Sequence, residues 1–135
     1  MEVRKSMVEK RMKKLEYLEK AALPPVLTGG EGYETLVIGW GSNFGVIKEA
    51  VGKLGNNSIS FLHFNQVYPL HASTAGYLKK AKNLVIVENN VTSQFGKLLK
   101  LQTGVEISKK ILKYDGMPFS VEELVSGIKG AINGN

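Results

Sequence analysis

Cysteine is absent from the 135 residues of this chain. Without thiolates there can be no disulfide framework, no cysteine nucleophile, no thiolate zinc site and no iron–sulfur cluster held by the chain itself. Any redox chemistry that the protein serves must therefore be carried by other domains or other chains.

Long hydrophobic runs are also absent, because no apolar stretch reaches the ~18 residues that a transmembrane helix needs. Residues 1–5 include two basic residues but no apolar stretch follows them, which excludes a signal peptide. Hydrophobic residues make up 43% and charged residues 22%, as in ordinary globular proteins. A chain of this length can bury a single core without disulfides. We expect a cytoplasmic protein that has no membrane partner.

Arginine is scarce, since only Arg4 and Arg11 are arginines among 18 basic residues. The net charge of +6 would suit a nucleic-acid partner, but phosphate and base recognition favours the planar guanidinium of arginine. The lysines are also dispersed over several stretches that have the pattern of helix faces. We therefore expect a solvated, lysine-rich surface and no nucleic-acid partner.

The N-terminal residues 1–22 are predicted to form an amphipathic helix. Apolar side chains recur there at spacings of three and four, at Val8, Met12, Leu15, Leu18 and Ala22. Pro24 ends the helix because the residue before a proline is disfavoured in the helical conformation. The apolar stripe must be covered by the remaining α/β domain, residues 23–135, or by a partner chain such as a second copy.

Strand and helix patterns then alternate four times. Short apolar runs bounded by turn residues predict strands at 33–38, 59–64, 84–87 and 107–113. Stretches with one apolar face predict helices at 44–54, 74–82 and 93–102 and from Ser120, where Glu123 completes a capping box. Strands joined by crossover helices run parallel. We therefore expect a three-layer α/β/α sandwich with a mostly parallel sheet of four or five strands, the fifth being a short edge strand over Val26–Thr28.

The loops at the carboxyl ends of the strands are the candidate site, because ligands of open α/β sheets collect there. The first loop, residues 39–45, is glycine-rich like a dinucleotide fingerprint, in which backbone amides approach a phosphate. The spacing before its last glycine is one residue longer than in that fingerprint. The next strand also does not end in a carboxylate that could bind a ribose hydroxyl. Glycines that serve a tight turn and helix packing are favoured. The candidate residues for a phosphate are Gly41, Ser42, Asn43 and Gly45.

The side chains of the carboxyl-end loops suit an interface or the edge of a channel. The candidates are Trp40, Asn65, Gln66, Glu88, Asn89, Asn90, Gln94 and Asp115. Neutral amides position groups and transfer no protons. Glu88 is expected to be a strand-end acid hydrogen-bonded to loop amides, with an acid–base role as the alternative, and His63 fits a core or edge position. We predict no catalytic residue and no metal site in this chain.

Four segments together resemble one protein family. They are Leu-Val-Ile-Gly-Trp-Gly-Ser at 36–42, Gln-Val-Tyr-Pro-Leu at 66–70, Val-Glu-Asn-Asn at 87–90 and Lys-Tyr-Asp-Gly-Met-Pro-Phe at 113–119. The combination resembles the C-terminal domain of the alpha subunit of 2-oxoacid:ferredoxin oxidoreductases, the 2-oxoglutarate type in particular. The N-terminal helix is similar to the family's linker helix. The chain departs from the family at Ser93, where glycine is expected, and at His71, where an apolar residue or proline is commoner.

This resemblance implies a transketolase C-terminal-like fold, in which a mostly parallel sheet begins with one antiparallel strand, here Val26–Thr28. It also implies a complex that decarboxylates a 2-oxoacid on thiamine diphosphate with Mg²⁺, passes electrons through iron–sulfur clusters to ferredoxin and releases an acyl-CoA. The chain has no Gly-Asp-Gly segment for the diphosphate, and the family places these cofactors on other domains or subunits. We expect a non-catalytic domain that supports assembly. The alternative is a freestanding module that binds a phosphate-bearing ligand at residues 39–45.

Overall fold

A computed structural model describes residues 2–134 of the chain. The helices are α1 (Glu2–Lys20), α2 (Phe44–Leu54), α3 (Thr74–Lys80), α4 (Gln94–Thr103) and α5 (Val121–Asn133). The strands are β1 (Val26–Thr28), β2 (Thr35–Trp40), β3 (Ile59–Phe64), β4 (Asn83–Glu88) and β5 (Lys109–Leu112). A 3₁₀ turn over Gly41–Asn43 joins β2 to α2.

The strands form one sheet in the order β1-β3-β2-β4-β5. β1 pairs with β3 in antiparallel fashion, with Val26 opposite His63, and every other neighbouring pair is parallel. The predicted mostly parallel sheet is thus confirmed. The antiparallel first strand that the family resemblance implies is confirmed as well.

Two hydrophobic cores, one on each face of the sheet, complete a three-layer sandwich. Leu36 of β2 packs in the core that α3 and α4 cover, together with Leu99 of α4. Its neighbour Val37 points to the opposite face and packs with Ile47 of α2 and Leu124 of α5. Because both faces are covered, β2 is apolar along its length instead of alternating, as is typical of buried parallel strands.

The strand order creates a switch point between β2 and β4. From β2 the chain crosses through α2 to β3 on one side, and from β3 it crosses back through α3 to β4 on the other side. The loops that leave β2 and β4 therefore diverge. The crevice between their carboxyl ends is the place where open α/β sheets bind ligands.

Two glycines beside the switch point have structural reasons of their own. A Cβ on Gly39 would collide with Cδ1 of Ile47 and lie 3.2 Å from Cε2 of Phe61, so the missing side chain lets α2 approach the sheet. Gly41 adopts a φ of +64°, a left-handed conformation that glycine takes without strain. At these two positions the structure matches the interpretation of a tight turn and close helix packing.

Several predicted element boundaries are wrong by a few residues. β2 begins at Thr35 instead of residue 33, because Tyr33 is buried in the core as a loop residue whose hydroxyl donates to the carbonyl of Tyr77 over 2.8 Å. An apolar buried loop residue has the same sequence pattern as the start of a strand. α3 ends at Lys80 because Ala81 is already extended, and β5 covers only Lys109–Leu112.

None of the residues Glu2–Lys20 of α1 is buried. Val8 is 52%, Met12 55% and Leu18 56% exposed, so the predicted stripe is not covered by the rest of the chain. Ala22, the last predicted member of the stripe, is buried but lies beyond the helix. Of the two expected outcomes, covering of the stripe by the chain's own domain is therefore not observed among residues 2–134. No helix within residues 2–134 is both long and apolar enough to cross a bilayer.

Candidate functional site

The carboxylate of Glu88 organises the carboxyl edge of the sheet. Glu88 ends β4 and has no exposed surface. Its Oε1 accepts three hydrogen bonds, from Trp40 Nε1 at 3.2 Å, Asn90 Nδ2 at 3.1 Å and the amide of Phe95 at 2.8 Å. Its Oε2 accepts two more, from Ser93 Oγ at 2.8 Å and the amide of Gly96 at 3.2 Å. All five contacts are donors to a carboxylate that only accepts.

This arrangement fixes the structural role of Glu88. The amides of Phe95 and Gly96 belong to the first turn of α4, so the carboxylate lies where unpaired N–H groups and the helix dipole favour a negative charge. Glu88 is thus a strand-end acid as expected, but the main-chain amides that it accepts from belong to α4, and only the side-chain amide of Asn90 belongs to the loop. Both carboxylate oxygens of Glu88 are occupied by donors of the same chain.

Ser93 precedes α4 in a left-handed conformation, with a φ of 53°, and is almost completely buried. This conformation explains why the family resemblance leads to glycine at this position, since a side chain there costs about 1–2 kcal/mol. The serine hydroxyl offsets part of that cost by donating to Glu88. A Cβ on Gly96 would lie 2.5 Å from Ser93 Oγ, so the two residues fit only as a small pair.

Trp40 connects the two loops of the switch point. Its indole N–H donates from the end of β2 to Glu88 at the end of β4. The ring also meets Phe95 of α4 edge-on, with 6.1 Å between the ring centroids. The ring is half-buried and packs against the first core.

A second bond crosses the switch point in front of Glu88. Asn43 Nδ2 donates to Asn89 Oδ1 over 2.7 Å, and Asn43 is only 8% exposed although it lies in a turn. The side chain of Asn43 is committed to this bond and does not cap α2. Two predicted candidates from different loops are thus held together at the point where the chain reverses direction.

An open cavity of about 570 Å³ lies beside this amide pair. Ser42, Asn43 and Asn89 form its polar wall, and Met117 and Phe119 from the loop after β5 form its apolar wall. Lys113 also lines the cavity, with its side chain mostly buried. The cavity therefore joins residues from three of the carboxyl-end loops.

The charge of Lys113 is balanced within the chain. Its Nζ donates to Glu123 Oε1 and lies 3.9 Å from Asp115 Oδ2. The hydrogen bond to Glu123, together with the nearby Asp115 carboxylate, raises the pKa of Lys113. The same hydrogen bond and that from the Ser120 amide lower the pKa of Glu123. Two carboxylates around one ammonium leave little net positive charge for an anionic ligand.

The structure does not bring every predicted candidate to this edge. Gln66 binds locally, donating to the Pro69 carbonyl at 3.1 Å and accepting from the Leu23 amide at 3.4 Å, so it fastens the segment after α1. Asn65 is exposed. Gln94 and Asp115 do lie at this edge, and their side chains are exposed. His63 is buried, and its Nε2 lies 3.0 Å from the Gly41 carbonyl, which confirms a core position.

Sequence reasoning missed two residues of this edge. No sequence pattern distinguishes Lys113 from the other lysines, although it falls inside the segment 113–119 that carries the family resemblance. Ser93 could be noticed only as a departure from an expected glycine. Its contact with Glu88 depends on the left-handed backbone, which no periodicity encodes.

Metal ligands are not grouped within residues 2–134, where no three His, Asp or Glu side chains are close enough to hold an ion. An iron–sulfur cluster does not fit the chain either, because the whole sequence lacks cysteine to ligate it.

Comparison with known proteins gives several relatives, although no family model matches the chain. The 2-oxoacid:ferredoxin oxidoreductase subunit alpha of Saccharolobus solfataricus is 33% identical in an alignment that covers 97% of this chain and 22% of that protein. Subunit alpha of 2-oxoacid:ferredoxin oxidoreductase 1 is 32% identical in Sulfurisphaera tokodaii and 30% identical in Aeropyrum pernix, each over 90% of this chain and 20% of the relative. The chain spans about a fifth of the length of these relatives.

Solved structures agree with the sequence comparison. The 2-oxoglutarate:ferredoxin oxidoreductase from Magnetococcus marinus superposes with a TM-score of 0.86 over 96% of this chain and 23% of that chain, and at 22% identity this shows a shared fold. The alpha chain of a probable 2-oxoacid ferredoxin oxidoreductase from Thermoplasma acidophilum has a TM-score of 0.56 and 29% identity, over 82% of this chain and 97% of that chain. The resemblance to these alpha subunits is confirmed.

Proposed function

We propose that this chain is the C-terminal, non-catalytic domain of the alpha subunit of a 2-oxoacid:ferredoxin oxidoreductase, and that it supports assembly of the complex. The observation that carries the proposal is the 33% identity over 97% of the chain to a relative more than four times as long. A match that spans the whole chain but only a fifth of the relative is expected of one part in a larger enzyme.

The chemistry of the carboxyl edge supports a role in binding surfaces instead of catalysis. Both oxygens of Glu88 are occupied, His63 is turned toward a main-chain carbonyl, and Lys113 is balanced by carboxylates. Apart from the hydroxyl of Ser42 and the exposed carboxylate of Asp115, the remaining polar side chains of the predicted site are amides, which form hydrogen bonds but do not transfer protons. Acid–base catalysis needs a titrating group within reach of a substrate.

The cofactors of the proposed parent complex belong to its other parts. We infer that the complex decarboxylates a 2-oxoacid, 2-oxoglutarate in particular, on thiamine diphosphate with Mg²⁺, and passes electrons through iron–sulfur clusters to ferredoxin in the cytoplasm. The Magnetococcus marinus enzyme carries 2-oxoglutarate, coenzyme A and succinyl-CoA, which supports this substrate class. This chain offers no cysteine for a cluster, so its own contribution is a surface for the cofactor-bearing domains.

The proposed assembly surface is the carboxyl edge. Asn89 and Gln94 are exposed there. Four exposed apolar side chains lie on the segments that follow the strands at this edge, namely Phe44, Val91, Tyr114 and Met117, and the last two line the cavity together with Asn89. Exposed apolar side chains around a cavity with convergent polar groups are typical of a protein interface.

The assembly role can be tested in a chimera, in which this chain replaces the matching segment of the Saccharolobus solfataricus alpha subunit. We expect the chimera to bind the other subunits of that enzyme and to support 2-oxoacid-dependent ferredoxin reduction. Asn89→Lys with Gln94→Lys should weaken assembly at least tenfold, whereas Asn57→Lys at the opposite edge of the sheet should not. Unchanged assembly and turnover of the Asn89 and Gln94 variant would exclude the carboxyl edge as the interface.

The substrate is tested on the native complex. A tag on this chain would retrieve the complex from its source cells, and CoA-dependent reduction of ferredoxin would be compared with 2-oxoglutarate and with pyruvate. We expect 2-oxoglutarate to have the higher kcat/KM. A higher value for pyruvate would contradict the substrate while leaving the family relationship in place.

A second candidate function is a freestanding module that binds a phosphate-bearing ligand near Gly41, Ser42, Asn43 and Gly45. The cavity beside Ser42 and Asn43 favours it, because its volume is sufficient for a small ligand. The balanced charge of Lys113 speaks against it. Calorimetry of the chain with CoA, ADP and thiamine diphosphate decides the matter. Heat of binding at micromolar ligand would support the module, and no heat at millimolar ligand would exclude it.

A further inference from the structure

α1 is a long helix whose apolar stripe has no cover within the chain. The stripe contains Val8, Met12 and Leu18, each more than half exposed, and the half-buried Leu15. Helix pairs such as Glu9 with Lys13 add only a few tenths of a kcal/mol each. An isolated helix of this length is marginal in water, and most helical stability in proteins comes from packing of an apolar face. The stripe is therefore built for contact with another surface.

Most of α1 superposes on a matching part of a much larger enzyme. The superposition on the Magnetococcus marinus oxidoreductase covers 96% of this chain, which leaves about five residues outside it and so includes most of the 19 residues of α1. That chain is about four times as long, since only 23% of it is covered. A projecting helix in the same place within a larger chain indicates that its orientation serves the larger assembly.

The charged side chains of α1 indicate the chemistry of a complementary docking surface. Residues Glu2–Lys20 contain seven basic and four acidic side chains, half of the net charge of the whole chain. Arg4 and Arg11 stand seven residues apart and share their face with Leu15 and Leu18, at four and seven residues beyond Arg11. A complementary surface must therefore combine apolar side chains with carboxylates.

A second copy of the chain fits this helix less well. The spacing of Val8, Met12 and Leu15 is that of a coiled-coil seam, but the next seam positions in each direction are Lys5 and Glu19. The apolar seam is thus only about two turns long, whereas stable coiled coils need several heptads. Two like helices would also bring their basic side chains together.

We propose that the apolar stripe of α1 docks on the portion of a 2-oxoacid:ferredoxin oxidoreductase alpha subunit that lies outside the matched fifth, on a surface of apolar side chains and carboxylates. This inference rests on the proposed function. It assigns α1 a docking site of its own, separate from the carboxyl edge of the sheet.

The test uses the chimeric Saccharolobus solfataricus enzyme described above. In one variant Met12→Lys and Leu15→Lys place two charges in the stripe. In the matched control Ser6→Lys and Tyr17→Lys add the same charges on the other side of α1. Because α1 and the proposed docking surface belong to one polypeptide in the chimera, docking is measured by hydrogen exchange of the α1 amides. We expect the stripe variant to speed this exchange at least tenfold and the control to stay within twofold. Circular dichroism of the full chain with each pair of substitutions verifies that helix content is unchanged.

Each outcome has a distinct meaning. If the chimera with native α1 does not assemble, the proposed function fails and this inference fails with it. If that chimera assembles and the α1 amides exchange as slowly in the stripe variant as with native α1, the proposed function stands and the docking of α1 is wrong. Sedimentation of the chain alone should give a monomer. A dimer that the stripe substitutions dissociate would show that a second copy, and not the alpha subunit, covers α1.

Discussion

The indole N–H of Trp40 donates to the buried carboxylate of Glu88 and so ties the end of β2 to the end of β4. These strands are neighbours in the sheet, but the chain between them passes through α2, β3 and α3. The bond therefore closes the switch point from which the two loops diverge. It also holds the ends of these two strands in place, and the loops that carry the exposed residues of the carboxyl edge begin there.

Replacing Glu88 should be among the most damaging single changes in the chain. Glu88→Gln replaces one carboxylate oxygen by an NH2 group. This group faces donors of the surrounding network, so the buried donors that bound the lost oxygen no longer have an acceptor. We expect a loss of about 3 kcal/mol or more in the free energy of unfolding, since each unsatisfied buried group costs about 1–3 kcal/mol. Urea unfolding measures it, with the exposed Glu106→Gln as control, expected within about 0.5 kcal/mol. A loss below about 1 kcal/mol for Glu88→Gln would mean that the network adds little.

Ser93 allows backbone strain and hydrogen bonding to be separated. Ser93→Ala removes the hydroxyl donor but keeps the side chain in the left-handed conformation. Ser93→Gly removes the same donor and relieves about 1–2 kcal/mol of strain. We therefore expect the glycine variant to be more stable than the alanine variant by about 1 kcal/mol, after the extra entropy of unfolded glycine is included. Equal unfolding midpoints in urea for the two variants would refute the strain at this position.

Gly39 and Gly52 should respond to alanine with opposite signs. Gly39→Ala should destabilise the chain by about 1–3 kcal/mol, because the new methyl group meets Ile47 and Phe61 in a packed core. Gly52→Ala lies in α2 with no atom within 4 Å of the added methyl group, and alanine stabilises a helix by about 0.5–1 kcal/mol relative to glycine. Thermal unfolding compares the two variants.

The same site offers a rescue experiment. Ile47→Val deletes the Cδ1 atom that the new methyl group of Gly39→Ala would meet. In the double variant we expect part of the lost stability to return, so that the two changes cost less together than the sum of the single effects. Strictly additive effects would show that the clash with Ile47 is not the reason for glycine.

Glu123 should make folding stability depend on acid pH. The hydrogen bond from Lys113 and that from the Ser120 amide lower its pKa in the folded chain. Glu123 therefore stabilises the fold fully above its unfolded pKa of about 4.3, and this stabilisation is lost as the pH falls through the lower folded value. Unfolding of the wild type and of Glu123→Gln would be compared from pH 7 to pH 2. We expect their difference to be constant at high pH and to shrink in acid.

A double-mutant cycle identifies the partner of Glu123. With Lys113→Gln as the background, Glu123→Gln should lose a large part of its pH-dependent effect, because the main cause of the lowered pKa is gone. The part that remains comes from the capping box with Ser120. An unchanged pH dependence in that background would assign the effect to the cap alone.

The sequence was sufficient for the features that depend on neighbouring residues. Apolar runs placed the strands and helices to within a few residues, and the capping box at Ser120 was visible in Ser-Val-Glu-Glu. Crossover helices required a parallel sheet. The short edge strand at Val26–Thr28 was predicted from the sequence, but its antiparallel direction came from the resemblance alone.

The tertiary structure alone decided which distant residues meet. Trp40 and Glu88 are 48 positions apart and Asn43 and Asn89 are 46 apart, and both pairs depend on the strand order, which periodicity does not contain. The left-handed Ser93 and the balanced charge of Lys113 likewise follow from the packing of whole loops. Local patterns fix which elements form because they act between residues a few positions apart. The site depends on contacts that exist only once the sheet has brought its carboxyl ends together.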